Sequence, residues 1–276
     1  LLAVTATLVV VWWPELTRIW REHFMTFAFI TLMMILSIFV QSQNFLSFLP
    51  SAKVPRLVDM AHTWAVGALV NYLGPFQPGL AVRTAILAKL GIPVGESSVA
   101  TLRQVVASMW MALALASISL MWIGSSVIVV VLAIGLLLLC AAIPKLLPAL
   151  RYLVLRFMPS KVPTNFRQSA QIAFELPSAR AMVGILVQYA LATLVFFVGY
   201  RQFGVDITVP AAIGLACVVY ASSLVALLPG NLGVLEALCT GFGQANGLAV
   251  EQALALAFLY RGASLTSVLL IAAIPA

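Results

Sequence analysis

Two polar interruptions divide an otherwise apolar sequence, and they constrain its fold more than any other feature. The first covers residues 71–83 and the second residues 228–236, and each combines Gly and Pro with a charged residue, Arg83 or Glu236. In a bilayer, backbone polar groups must be satisfied within the protein, because each unsatisfied group in hydrocarbon costs several kcal/mol. Non-helical backbone therefore persists only where it is buried in protein or lines a wet cavity. One interruption in each half of the chain indicates a site.

The composition places the chain in a membrane. Hydrophobic residues make up 63% of the sequence and charged residues 8%, whereas about a quarter of a soluble domain is charged. No stretch outside the apolar segments is long enough to fold as a soluble catalytic unit. The net charge of +7 lies mostly in short loops, which favours membrane topology and anionic lipid over nucleic acid. The isolated Cys140, Cys217 and Cys239 are typical of core packing.

Apolar runs of about 20 residues predict the membrane helices. They cover residues 24–42, 57–73, 104–122, 126–143, 180–202, 208–228 and 250–272. Residues 1–13 are interpreted as the end of a truncated first span. Segments 75–91 and 229–247 are interrupted by Gly or Pro and predict half-helices or re-entrant hairpins. The predicted fold is an all-α, polytopic integral membrane bundle of two similar halves, residues 1–143 and 180–276, each with one broken segment.

A basic linker, residues 144–179, separates the halves. It is rich in Pro and has many more cations than acids, so the positive-inside rule predicts that it is cytoplasmic. Within it, residues 147–158 place Arg151 and Arg156 among apolar side chains. This pattern predicts an amphipathic helix on the anionic inner leaflet, and we favour a basic surface there over a specific head-group site.

The same order of features follows the interruption in each half. A helix breaker is followed by a charge, a Gly turn, an acid at a helix start and then an arginine. The charged residues in this order are Arg83, Glu96 and Arg103 in the first half, and Glu236, Glu251 and Arg261 in the second. Glu96 and Glu251 have two interpretations, as first-turn caps that favour the helix dipole or as functional acids. Paired broken segments are typical of transporters built from internal repeats.

Four ionisable residues fall within predicted membrane segments: Arg83, Arg103, Glu236 and Arg261. An ionised side chain at a helix centre costs about 2.5–3.5 kcal/mol on insertion scales, so each needs a partner or a wet cavity. One interpretation is buried ion pairs that dock helices, with Glu236 pairing with Arg261 or Arg103. The other is a central polar cavity in which arginines hold the phosphate of an anionic lipid.

The Gly-rich breaks add backbone donors. Half-helices that begin after Pro78-Gly79 and Pro229-Gly230 would direct free N–H groups and a positive dipole end into the cavity, which favours an anion. Asn71, Gln77 and Asn231 would add amide contacts, or would serve as ordinary caps.

No pattern in the sequence indicates catalysis. The sequence has no nucleotide-binding loop and no hydrolase or metalloprotease motif, and His23 and His62 lack neighbours at metal-ligand spacing. We therefore predict no catalytic residue, no metal, no cofactor and no enzymatic activity.

Three elements of the sequence carry a family resemblance. They are Asn71, Pro75, Gly79 and Arg83; then Pro229, Gly230, Gly233 and Glu236; then Glu251 through Tyr260 and Arg261. At these residues the chain resembles the lysylphosphatidylglycerol synthase transmembrane-region family, also called flippase-like proteins. Leu80 stands where the first element of the family has Glu. The acid partners of Arg83 and Arg103 are therefore expected elsewhere, in Glu96 or Glu236.

The resemblance implies a protein of the cell inner membrane that moves or binds lipids, without aminoacyl-transferase activity. The expected function is translocation of an anionic or aminoacylated phospholipid, or of a polyprenyl lipid or glycolipid, through a central polar cavity. The alternative is a lipid-binding partner that does not transport and presents lipid to a transferase or envelope complex. A lipid-linked glycosyltransferase is the weakest candidate. The expected partners are a membrane phospholipid or isoprenoid lipid, a lipid-modifying transferase and a second copy of the chain, with no nucleic acid.

Overall fold

The protein is a bundle of helices. The computed structural model describes residues 21–49, 55–73, 77–123, 127–157, 175–224, 231 and 233–274. Within these ranges there are nine helices and no strand. They are α1 (Phe24–Leu46), α2 (Leu57–Leu73), α3 (Pro78–Lys89), α4 (Val94–Ile123), α5 (Val127–Phe157), α6 (Ala179–Gln202), α7 (Val209–Leu224), α8 (Val234–Ala245) and α9 (Val250–Ala272). The predicted all-α architecture is confirmed, and residues 1–13 lie outside the described ranges.

Helix length distinguishes the long membrane spans from the two broken segments. Among the described helices, α1, α4, α5, α6 and α9 are long and apolar enough to cross a bilayer. The two broken segments form α3 and α8, which have 12 residues each. At 1.5 Å per residue such a helix is about 18 Å long, too short for a hydrocarbon core of about 30 Å. Both interruptions therefore correspond to short helices inside the bundle, as predicted.

The two halves use the same helix order. Helices α1 to α4 have 23, 17, 12 and 30 residues, and α6 to α9 have 24, 16, 12 and 23. The contacts between the halves follow this correspondence. Helix α1 packs on α6, and the contact of α4 with α7 is matched by the contact of α9 with α2. Each short helix packs against the helices that precede and follow it in sequence. The two broken segments consequently occupy corresponding places in the two halves.

The sequence placed two helix boundaries incorrectly. Helix α4 begins at Val94 rather than at residue 104, with Glu96 in its first turn. Helix α5 runs without a break through Pro144 and Pro148 to Phe157, so the described part of residues 147–158 is helical, as predicted, but continues the membrane helix instead of starting a new one. Residues 158–174 lie outside the described ranges.

A side chain of α4 explains how α5 continues through Pro144. Proline has no backbone N–H, so the carbonyl oxygen of Cys140, one turn earlier, loses its helical donor. The indole Nε1–H of Trp110 donates to that oxygen at 3.0 Å. In a chain that crosses lipid, this bond satisfies an acceptor that water would not reach.

Replacing Trp110 with Phe should therefore destabilise the α4–α5 contact. The substitution leaves the Cys140 carbonyl without a donor, and we expect a loss of about 1–3 kcal/mol of stability. Thermal unfolding of the protein in detergent measures this loss. The matched control is Trp122→Phe, because Trp122 is 79% exposed. Equal melting temperatures for the two variants would contradict the role of Trp110.

Candidate functional site

A polar cavity of about 380 Å³ lies where the two halves meet. Its polar lining from the first half includes Gln41, Asn71, Gln77, Arg83, Thr101 and Gln104. The second half contributes Gln188, Tyr220, Asn231, Tyr260 and Ser264. Burying this many polar side chains inside a membrane bundle costs free energy unless they face water or a polar ligand. The cavity is therefore the candidate site.

Arg83 is the only charged residue among the described residues that line the cavity. Helix α3 carries it into the bundle, where it is 3% exposed. Its Nη2 donates to Thr101 Oγ1 at 2.6 Å, and its Cζ lies 4.0 Å from the ring centroid of Trp64 and 5.1 Å from that of Phe45. Cation–π contacts of this kind stabilise a desolvated guanidinium by about 2 kcal/mol. The two aromatic rings therefore stabilise the positive charge of Arg83, but they supply no negative charge to offset it.

Three buried donors on residues lining the cavity have no protein acceptor within the described ranges. They are Arg83 Nε, Trp64 Nε1 and Gln188 Nε2, and Gln188 is only 3% exposed. A buried donor left unpaired costs about 1–3 kcal/mol, and more when it is charged. These three atoms have less than 1 Å² of accessible surface, so a ligand oxygen would recover this cost once the side chains that cover them move to admit it.

The start of α3 differs from the prediction. The helix begins at Pro78, and the N–H of Gly79 donates to Asn71 Oδ1 at 2.7 Å. The Leu80 N–H donates to the Gln77 carbonyl at 3.0 Å. The Gly79 donor predicted to be free is therefore used inside the protein, because Asn71 on α2 reaches across to cap the helix. Asn71 itself also lines the cavity.

The start of α8 is occupied in a similar way. Glu236 Oε2 accepts from the N–H of Gly233 at 2.8 Å, and the same carboxylate receives Arg261 Nε at 2.5 Å and Nη2 at 3.0 Å. The Glu236 and Arg261 side chains are 14% and 13% exposed. This is the ion pair that the sequence left as one of two alternatives, and it docks α8 onto α9. Arg261 Nη2 also lies 3.4 Å from the Asn231 carbonyl oxygen, at the edge of the cavity.

Arg103 lies away from the cavity. Its Nη2 is 3.8 Å from Glu175 Oε2 and 3.5 Å from the Leu176 carbonyl oxygen, in a crevice between α4, α5 and the start of α6. The expected partners Glu96 and Glu236 were wrong for Arg103, because the acid that it meets, Glu175, belongs to the linker. They were also wrong for Arg83, since no carboxylate among the described residues forms an ion pair with it.

The remaining predicted residues occupy different places. Tyr260 lines the cavity and stacks on Phe196 with centroids 5.1 Å apart. Glu96 and Glu251 lie in the first turns of α4 and α9, where their charge favours the helix dipole. Three further predicted residues, Pro75, Pro229 and Gly230, lie outside the described ranges.

Sequence reasoning missed the groups that surround Arg83. None of Trp64, Thr101 and Gln188 was predicted as a site residue, and Gln188 is an isolated amide in an apolar helix. Asn71 and Gln188 fall in separate halves of the sequence, so only the tertiary fold brings them to one cavity. The one sequence signal that could have found Gln188 is an amide at the middle of a predicted span, which needs a polar partner.

The fold and the cavity define a polytopic α-helical membrane protein with a polar site between two similar halves. A family model described as "Lysylphosphatidylglycerol synthase TM region" matches residues 1–272. The chain belongs to this family, as its motifs indicated. It matches no curated protein and no solved structure at a significant level.

Proposed function

We propose that the protein moves a lipid between membrane leaflets by passing its phosphate-bearing head group through the central cavity. The observation that carries this proposal is the unpartnered Arg83 Nε beside Trp64 and Gln188, which also offer buried donors. Phosphate oxygens accept hydrogen bonds from such groups, and guanidinium suits them especially well. The lipid classes that fit are a phospholipid, anionic or aminoacylated, and a polyprenyl lipid or glycolipid.

An open groove supports a lateral route for the acyl chains. The groove has a volume of about 570 Å³ and lies along α3 and α4, lined mostly by apolar side chains. Leu80 and Thr101 belong to both the groove and the cavity. A lipid could therefore place its head group beside Arg83 while its acyl chains stay in the groove and the bilayer.

The two halves would rock about this site, as in other repeat transporters. Since the sequence contains no nucleotide-binding motif, we propose downhill or ion-coupled movement. The sequence predicts a cavity in which several membrane arginines hold the phosphate of the lipid. Because Glu236 is bound to Arg261 and Arg103 faces Glu175, the proposal now assigns head-group binding to Arg83 and helix docking to the Glu236–Arg261 pair.

The setting that we propose is the cell inner membrane, with the end of α5 and the residues that join it to α6 on the cytoplasmic side. In this role the protein is a transporter rather than an enzyme. Its partner is a membrane phospholipid or isoprenoid lipid, and a lipid-modifying transferase would supply or receive that lipid.

A leaflet-specific assay tests the proposal. Purified protein in liposomes should accelerate the exchange of fluorescent phosphatidylglycerol between leaflets, read from the fraction that an impermeant quencher reaches. Arg83→Gln should slow this exchange by about tenfold or more, because a charge-assisted hydrogen bond is lost in a buried site. Arg201→Gln is the control, since Arg201 pairs with Asp206 on the surface. Wild-type protein that binds the lipid without moving it would instead favour the lipid-presenting partner.

Leu80→Trp should block the lateral route. Leu80 is 38% exposed and shared by groove and cavity, so an indole there fills the opening without burying a new charge. We expect exchange to fall severalfold while thermal stability stays near the wild-type value. Leu90→Trp is the matched control, because Leu90 is 40% exposed, follows α3 and lines neither space. Unchanged exchange in Leu80→Trp would place the lipid path elsewhere.

A further inference from the structure

We infer that the cavity selects lipids by net charge: it accepts a net-anionic head group with one phosphate and rejects the net-cationic head group of an aminoacylated lipid. This inference rests on the proposed function and narrows its substrate class. It follows from the ion pairing of the membrane arginines rather than from the shape of the cavity.

Arg83 differs from the other two arginines in its partners. Arg261 forms two hydrogen bonds to the Glu236 carboxylate, and Arg103 lies 3.8 Å from Glu175. Arg83 is more buried than either, at 3% exposed, and its contacts are a hydroxyl and two aromatic rings. Only Arg83 among the three therefore leaves a positive charge that no carboxylate in the described ranges offsets.

The acidic residues in the described ranges do not offset the charge of Arg83. The sequence has eight, and all except Glu15 lie in the described ranges. Four pair with other arginines, and the remaining three are Glu22 and the first-turn acids Glu96 and Glu251. None of the seven forms an ion pair with Arg83. The chain therefore supplies no counter-ion at the cavity from these residues.

An uncompensated charge on a buried guanidinium discriminates strongly between ligand charges. Coulomb interactions grow as the effective dielectric constant falls from its value in water, so a second cation beside Arg83 is repelled and an anion is attracted. Trp64 and Phe45 stabilise the guanidinium through their ring faces, but they carry no net charge. Arg83 already occupies one face of each ring.

The donors also define the ligand group. Arg83 Nε, Trp64 Nε1 and Gln188 Nε2 are N–H donors, and an ammonium group, which has no acceptor, would leave all three unpaired. A phosphate diester offers two unesterified oxygens and one negative charge. The donors therefore favour the phosphate, which an aminoacylated lipid also carries, and the uncompensated charge of Arg83 disfavours the added ammonium groups.

The selectivity is tested by binding, separately from transport. Native mass spectrometry of the whole protein in detergent would compare phosphatidylglycerol with lysyl-phosphatidylglycerol at equal concentration, and a third arm would use soluble glycerol 3-phosphate. We expect wild-type protein to prefer phosphatidylglycerol by at least about tenfold. The soluble phosphate should bind more weakly because it lacks acyl chains. Soluble phosphate that binds as tightly as the lipid would overturn the assignment to a lipid head group.

Two kinds of variant isolate the charge. Gln188→Glu places a carboxylate in the cavity while Arg83 stays intact, and should bring the preference close to unity. Arg83→Gln should do the same, whereas Arg83→Lys should retain it, and Arg201→Gln is the surface control. Equal binding of both lipids by wild type, or a preference that survives both Gln188→Glu and Arg83→Gln, would overturn the inference.

The outcomes also separate this inference from the proposed function. A charge preference in binding without any leaflet exchange would uphold the selectivity and contradict transport. Exchange of both lipids at equal rates would support transport and contradict the selectivity.

Discussion

Replacing Gly79 with alanine is expected to disrupt the packing of α3 against α2. A Cβ atom at residue 79 would lie 1.8 Å from the carbonyl oxygen of Gly67 and 2.6 Å from Asn71 Oδ1. The first of these atoms belongs to the backbone, so no side-chain rotation relieves the overlap. The two helices would have to separate, and the hydrogen bond from Gly79 to Asn71 would be strained or lost.

We expect this substitution to cost about 3 kcal/mol or more, from overpacking and the weakened hydrogen bond together. For a chain of this size that corresponds to a fall of roughly 10 °C in melting temperature. Because Asn71, Gln77 and Arg83 line the cavity, leaflet exchange should fall as well. Thermal unfolding in detergent and the liposome assay measure the two effects.

Two other glycines make a graded control. A Cβ at Gly67 would lie 3.0 Å from the Gly79 carbonyl oxygen, so Gly67→Ala should be milder, while a Cβ at Gly135 meets nothing within 4 Å. Gly135→Ala should leave stability unchanged or raise it slightly, because alanine is the better helix former. The close approach of α2 and α3 would be refuted if all three variants melted together.

The second large effect is expected at the Glu236–Arg261 pair. Glu236→Ala removes both the counter-ion of Arg261 and the acceptor for the Gly233 N–H. Breaking a buried ion pair by removing one partner costs about 3–5 kcal/mol, because the other charge remains buried and unpaired. We therefore expect Glu236→Ala to be among the least stable single variants of the protein.

A double-mutant cycle checks the cause. If the cost arises from an unpaired Arg261, then Glu236→Ala with Arg261→Met should be at least as stable as Glu236→Ala alone. Asp206→Asn provides the surface control: the Arg201 and Asp206 side chains are 54% and 92% exposed, so their pair should contribute less than about 1 kcal/mol. The docking role would be wrong if Glu236→Ala lost no more stability than Asp206→Asn.

The broken segments were predictable because bilayer physics leaves few ways to bury Gly, Pro and charge. The sequence therefore predicts the places of α3 and α8, and it marks Arg83 as a charged residue whose burial in a membrane requires a functional or structural role. It could not predict the continuation of α5 through Pro144, since the donor that satisfies Cys140 comes from Trp110, 30 residues away. Tertiary contacts of this kind override a local helix-breaking signal.

The surroundings of Arg83 were less predictable than Arg83 itself. The sequence predicts an acid as the partner of Arg83, but the protein holds the guanidinium with Trp64, Phe45 and Thr101. An aromatic residue in an apolar helix gives no sign in sequence that it stacks on a cation. The difference matters for function, because an acid would have neutralised the cavity and aromatic rings do not.

The most direct measurement is an experimental structure of the protein in nanodiscs that contain phosphatidylglycerol. Our account predicts phosphate density in the central cavity, within hydrogen-bonding distance of Arg83 Nε and of Trp64 Nε1 or Gln188 Nε2, with acyl-chain density leaving past Leu80. The same density should be lost in Arg83→Gln. A cavity that contains only water, with all lipid confined to the outer surface of the bundle, would contradict the central claim that the cavity binds a lipid head group.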